Sequence, residues 1–206
     1  MQGIMFTKEL FPSVVNGSKT ETRRELKPQP VLGSGDQGLV RVGKKHLKAM
    51  CWSGLGEGSW VCAKPRYKPG EVVYLKEPWA VLHDEIPTGD TETIVFYRFD
   101  YETPGWAEES KWRNKMFMPA WAARHFVRIT EVRCEGLKAI RHYDAIAEGV
   151  NLNAPYTYND YGTGSVAVDQ FAALWDAIAK PGFKWSDNPW VWVYVFERCS
   201  REGNTP

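Results

Sequence analysis

The segment Gly17-Ser18-Lys19-Thr20-Glu21-Thr22-Arg23-Arg24 gathers a lysine, paired arginines and threonine hydroxyls into eight residues. A threonine hydroxyl becomes a nucleophile only when a base takes its proton. Lys19 can be that base for Thr22 only when neutral, which calls for burial or a neighbouring cation, and Arg23 and Arg24 are at hand. The same composition also suits a solvated edge strand of mixed charge. Residues three apart on a regular strand point to opposite faces. Lys19 and Thr22 can therefore meet only if Lys19 lies in a turn or a bulge intervenes, and Gly17-Ser18 supplies the residues for a turn.

Other segments offer binding groups. Glu77 and Trp79 are expected to share a strand face, where the indole could stack on a base and the carboxylate accept from a cytosine amino group. A core tryptophan beside a strand-end glutamate explains them equally well. Tyr97 and Arg98 read the same two ways. Trp106, Trp112 and Trp121 suit a hydrophobic cover rather than a ligand cage. Lys44-Lys45-His46, Lys48, Lys64, Arg66 and Lys68 concentrate positive charge, as a nucleic-acid contact or a solvated loop would. His46, His83, His125 and His142 lack metal-ligand spacing, and Cys51, Cys62, Cys134 and Cys199 form no C-x-x-C pair. No metal or cofactor is expected, and the cysteines read as free thiols of a reducing compartment. Phosphate-loop, dinucleotide, H-E-x-x-H and G-x-S-x-G signatures are missing from the chain, which removes most of the case for those chemistries.

The elements that must hold these groups follow from pattern. Ile4–Phe6 reads as a strand. A helix capped by Thr7 and stopped by Gly17 follows, kinked at Pro12 or starting one turn later. Thr20–Lys27 is extended. Residues 33–69, rich in Gly, Ser and Lys, read as an insertion with short strands at Leu39–Val42 and Trp60–Ala63. Strands are expected at Glu71–Glu77 and Thr93–Phe99, with a polar loop between them, and at Phe126–Cys134. Residues 102–118 read as irregular. A short helix at His142–Ala147 ends at Gly149, and residues 151–164 read as a loop. Ser165 caps a helix whose stripe is Val168, Phe171, Leu174, Trp175 and Ile178, with Pro181-Gly182 beyond it. Trp190–Phe196 is apolar at both alternations, as a strand buried on both faces should be. The order predicts an α+β fold around a mixed or antiparallel sheet, organised as one domain over 1–200 with a tail at 201–206.

Composition fits such a chain. Of 206 residues, 43% are hydrophobic, 25% charged and 14% aromatic, which excludes a disordered or fibrous protein. A net charge of +1 gives no field strong enough to bind long duplex DNA through phosphates alone. No apolar run approaches membrane-spanning length, and the N-terminus lacks a signal-peptide pattern, so a cytoplasmic protein with no membrane partner is expected.

The segment from Gly17 to Arg24 resembles the G-x-K-x-x-x-x-R signature of the ASCH domain family, part of the PUA-like superfamily. Pro69–Ala80, Met118-Pro119-Ala120-Trp121-Ala122, Asp144–Gly149 and Asn188–Val193 are similar to segments of its bacteriophage and prophage members. The resemblance spans nearly the whole chain and is least certain over 33–69. It implies a small mixed PUA-like β-barrel with flanking helices, and a cleft for RNA or a modified nucleoside. One branch of the family hydrolyses the acetyl amide of N4-acetylcytidine with a Lys, a Thr and a Glu. Lys19, Thr22 and Glu148 match these, with Thr22 as nucleophile and Lys19 as base. Glu148 fits a proton shuttle better than a permanent ion partner, since a carboxylate beside Lys19 would keep it protonated. Arg24, Arg23, Glu77, Trp79 and Tyr97 would contact substrate. A non-catalytic RNA or modified-base reader and a ribonuclease are the alternatives. This chain is longer than the compact amidohydrolase branch, which leaves its substrate open.

Overall fold

The computed structural model describes residues 1–29, 40–43, 48–52, 60–85, 91–100, 112–152 and 163–204. The strands are β1 (Gln2–Met5), β2 (Glu21–Glu25), β3 (Val40–Gly43), β4 (Lys48–Trp52), β5 (Trp60–Ala63), β6 (Val72–Lys76), β7 (Trp79–Glu85), β8 (Thr91–Tyr97), β9 (Phe126–Gly136) and β10 (Trp190–Cys199). The helices are α1 (Phe11–Val15), α2 (His142–Ala147) and α3 (Val166–Ile178). The fold is α+β, mostly sheet with few helices. Among the described residues no sheet closes into a barrel. By its contacts the chain divides into two units: Met1–Val15, Val72–Arg128 and Arg198–Pro206 in the first, Asn16–Glu71 and Ile129–Glu197 in the second.

In the first unit β1 runs parallel to β6, and β6 pairs antiparallel with the start of β9. Gly3 lies opposite Tyr74, and a Cβ there would meet the Tyr74 ring at 2.7 Å, so the Tyr74 and Lys76 side chains lie across the space that a larger residue would need. The helix after β1 begins at Phe11, one turn later than Thr7, which places Pro12 in the first turn where its missing N–H costs nothing. Phe11 and Val14 are its buried residues, and the Phe11 ring lies 4.8 Å from that of Phe99. The expected polar loop after residue 77 is instead strand β7, paired antiparallel with β8 over its full length from Trp79↔Tyr97 to Glu85↔Thr91. Its polar end hid it, because the partner that stabilises it lies outside any local window. Trp79, Met118 and Ala122 form the small core beside this ribbon.

In the second unit β2 pairs antiparallel with β10, and β10 neighbours the remainder of β9. β10 is buried on both faces as its composition requires. The register sets Arg23 opposite Val193 and Thr22 opposite Tyr194, so Glu21 and Arg23 share the valine face while Thr22 and Arg24 share the aromatic face. The valine face packs under α2 and α3: Val191 and Val193 join Leu137, Ala145, Val168, Phe171 and Trp175 in one buried cluster. Ser165 caps α3, its hydroxyl accepting from the Val168 amide. The 33–69 region contributes a separate three-stranded antiparallel sheet, β3-β4-β5, of which β4 was not expected. Much of that region lies outside the described residues, as do Lys44-Lys45-His46, Trp106 and residues 153–162 of the expected loop.

Candidate functional site

Left-handed glycines flank both halves of the candidate pair. Gly17 (φ 85°) turns the chain after α1, and Gly149 (φ 86°) follows Glu148, the C-cap of α2. Thr20 donates its amide to the Ala147 carbonyl at 2.9 Å, which ties the start of β2 to the end of α2. Lys19 follows the turn at 16–18 and precedes the first strand residue Glu21, so it lies outside the regular strand alternation that carries Thr22. Its ammonium donates to the Glu148 carbonyl at 2.6 Å, to Glu148 Oε2 at 2.6 Å and to the Glu21 carbonyl at 2.8 Å. It thus caps the C-terminal end of α2, where a cation meets unpaired carbonyls and the negative end of the helix dipole. The third acceptor is the carbonyl of the peptide that leads into Thr22.

Lys19 is 1% exposed, so this is a lysine taken fully out of water. Burial pushes its ammonium below the ordinary lysine range. Glu148 opposes that shift, and Arg24 and Arg23 add to it. The expectation that Glu148 would avoid a standing ion pair is corrected: the two side chains are in direct contact. Arg23 divides the carboxylate between two cations, since its NH1 donates to Glu148 Oε1 at 3.1 Å while Lys19 holds Oε2.

Arg23 lies inside the unit with a fully buried side chain. It also pairs with Glu21 and, at 2.7 Å, with Glu135, and its guanidinium lies 5.7 Å from the Phe171 ring centroid. Arg133 closes the circuit by donating to Glu21 Oε2 at 2.8 Å and Glu135 Oε2 at 3.2 Å. Two guanidiniums thus share carboxylates that one cation could not neutralise. Burial raises the Glu21 carboxyl even against both arginines. Asp144 stands at 3.8 Å from Arg23, at the rim. Arg23 is placed to orient Glu148 rather than to meet a ligand. Glu21, Arg133 and Glu135 were not singled out as functional from sequence. Their signal is a charge ladder at the strand period, Glu21-x-Arg23 on β2 and Glu131-x-Arg133-x-Glu135 on β9.

Thr22 is 4% exposed, and its hydroxyl makes no hydrogen bond to a described residue. Arg24, two residues on, is exposed. His142, nearest to Glu148 in the sequence, turns instead to Ser165, with Nδ1 3.0 Å from its hydroxyl.

Glu77, Trp79 and Tyr97 belong to the first unit and form a second cluster there. Glu77 falls in the break between β6 and β7, so it does not share a strand face with Trp79. Its buried carboxylate takes two hydrogen bonds of 2.9 Å from Arg124, which also grips Asp100 at 2.6 and 2.8 Å. Arg124 lies 4.0 Å from the Tyr97 ring centroid, and the Tyr97 hydroxyl donates to the Ala122 carbonyl. Trp79 is buried against Trp121 and Arg113, with its indole N–H unpaired. Trp121 itself is largely exposed. Among the described residues no histidine, cysteine or carboxylate group is arranged to hold a metal ion, and no helix is long and apolar enough to cross a membrane.

No family model, curated protein sequence or solved structure matches the chain.

Proposed function

We propose that this chain is an ASCH-type, PUA-like protein that hydrolyses an N4-acylated cytidine at the Lys19–Glu148 pair. The observation that carries the reading is a fully buried lysine whose ammonium touches a carboxylate and the carbonyl leading into a threonine. Burial provides the driving force for Lys19 to shed its proton, and Glu148, at 2.6 Å, is the group positioned to take it. Neutral Lys19 then accepts the Thr22 hydroxyl proton as Oγ1 bonds to the acyl carbon. The C–N4 bond breaks with proton delivery from Glu148 to the departing amine, which leaves cytidine and an acyl-threonine. Water, activated by the same base, releases the acid and restores Thr22. Arg23 keeps Glu148 aligned throughout without exchanging a proton itself.

The test is release of cytidine from N4-acetylcytidine, followed by chromatography, for wild type, Lys19→Ala and Thr22→Ala. Turnover by wild type and a loss of at least 100-fold in both variants is expected, the usual scale for removing an acid–base or nucleophilic group. No turnover by folded wild type at enzyme concentrations near that of substrate would refute hydrolysis of this substrate.

A further inference from the structure

We propose that Arg133 and Glu135 are positioning residues of opposite sign for the Lys19–Glu148 pair: through a closed ring of ion pairs they set the charge against which that pair exchanges its proton. This rests on the reading of Lys19 and Glu148 as the proton-transferring groups.

The ring follows from the strand order. β10 lies between β9 and β2, so the backbones of the outer two strands stand about 10 Å apart, twice the spacing of neighbours. β10 sets Val193 opposite Arg23 and Val195 opposite Glu21. Valines are short enough for the longer charged side chains on either side to meet above them. Glu21 gives one oxygen to Arg23 and the other to Arg133, the latter at 2.8 Å. Glu135 does the same, with Oε1 2.7 Å from Arg23 and Oε2 3.2 Å from Arg133. Two guanidiniums and two carboxylates therefore alternate around a closed circuit whose charges cancel. Its inner corner is the fully buried Arg23, whose NH1 also donates to Glu148 Oε1 at 3.1 Å. Its outer corner, Arg133, is partly exposed. Glu21 joins the ring to Lys19 a second time, since its backbone carbonyl accepts the ammonium at 2.8 Å.

Other charges stand around the pair. Arg24 and Arg23 on β2 oppose the Lys19 proton, and Glu148 itself favours it. Asp144 of α2 lies 3.8 Å from Arg23 and 4.0 Å from Arg133, and Glu131 of β9 lies 3.7 Å from Arg133. α3 turns the Phe171 ring towards Arg23, while its Asp169 and Asp176 accept from the Thr163 hydroxyl and the Trp185 amide. Without Arg133 the ring carries one excess negative charge, which favours the protonated lysine. Without Glu135 it carries one excess positive charge, which favours the neutral one. Arg23, Glu21 and Glu148 are all buried, so little solvent screens these charges on the way to Lys19. Burial already raises the Glu21 carboxyl, so without Arg133 it takes up a proton as the pH falls and cancels the excess. The effect of Arg133 is therefore read on the alkaline side, where Glu21 is ionised.

The experiment is a pH titration of the lysine side-chain carbons by NMR in wild type, Arg133→Gln, Arg133→Lys, Glu135→Gln and the double variant Arg133→Gln/Glu135→Gln. Circular dichroism checks that each is folded, and the Lys19 signal is assigned by its loss in Lys19→Met. The midpoint at which Lys19 loses its proton should rise in Arg133→Gln and fall in Glu135→Gln, each by about half a pH unit or more. Arg133→Lys keeps the charge and the double variant restores a neutral ring, so both should return to within about 0.2 pH units of wild type. Loss of packing alone would not move two midpoints in opposite directions. Shifts of the same sign, or no shift, would overturn the proposal, as would a Lys19 signal that fails to titrate between about pH 5 and about pH 11 in all of these proteins. Where wild type releases cytidine from N4-acetylcytidine, the pH at which kcat/KM rises to half its maximum should move in the same two directions. The two proposals fail separately. Opposite shifts of Lys19 without release of cytidine remove the hydrolysis and keep the ring's control of the pair. Hydrolysis whose pH dependence, like the Lys19 midpoint, ignores both substitutions does the reverse.

Discussion

Each unit buries a glutamate against a cation, and the two pairs are built for different ends. In the first unit Arg124 meets Glu77 through two parallel hydrogen bonds of 2.9 Å and continues outward to Asp100. In the second, Lys19 meets Glu148 through one oxygen while Arg23 takes the other. Arg124 is driven above its already high ordinary value by its two carboxylates, so its proton never leaves. Lys19 is pushed the other way by burial, against the opposing pull of Glu148. A delocalised fork fixes geometry, whereas a desolvated ammonium can take part in proton transfer. The same class of contact therefore makes a clamp in one region and a candidate reaction centre in the other.

Removing the central cation of each network gives the largest expected effects, and unequal ones. Arg23→Met leaves Glu21, Glu135 and Glu148 without their shared partner, and should destabilise the fold by roughly 3–5 kcal/mol, the range for breaking a buried ion pair. Arg124→Met strands the buried Glu77, but Asp100 stays exposed, and about 2 kcal/mol is expected. Urea unfolding of both variants measures the difference. Equal costs would mean that the inner network is no more demanding than the clamp.

A smaller effect separates the units by pH. His125 in the first unit is pushed down to about 4, chiefly by burial and then by Arg124 and Arg198 against Asp100. Its folded value lies below the ordinary 6.5, so the unfolded chain takes up the proton first as pH falls. Stability held by neutral His125 is complete above pH 6.5 and drains away towards pH 4, by roughly 1 kcal/mol per pH unit at most. Urea midpoints of wild type and His125→Gln at pH 7 and pH 5.5 should converge as the pH falls. Parallel lines would show that His125 ionises equally in both states.

Much of this was readable from local pattern. α2 begins and ends where its residues indicate, Ser165 caps α3, and β10 is doubly buried because both of its alternations are apolar. The turn expected at Gly17 is there, and it leaves Lys19 ahead of the strand that carries Thr22. What escaped depended on register. The ladder of Glu21, Arg23, Arg133 and Glu135 exists only once β9, β10 and β2 are set side by side. β7 escaped for the same reason, since its polar end is a strand only against β8. Likewise, that Glu77, Trp79 and Tyr97 belong to a different unit from Lys19 follows from long-range contacts, on which residue type is silent.

Replacing lysine by arginine, a permanent cation, tests most directly whether the second pair moves a proton. Release of cytidine from N4-acetylcytidine is measured for wild type and for Lys19→Arg, with Lys19→Met as a variant of similar volume and circular dichroism as the check on folding. If Lys19 must surrender a proton, both folded variants lose at least 100-fold in turnover, because arginine keeps the charge but not the chemistry. Turnover retained by Lys19→Arg would show that the site needs only a positive charge beside Glu148, and that it is a second clamp rather than a reaction centre.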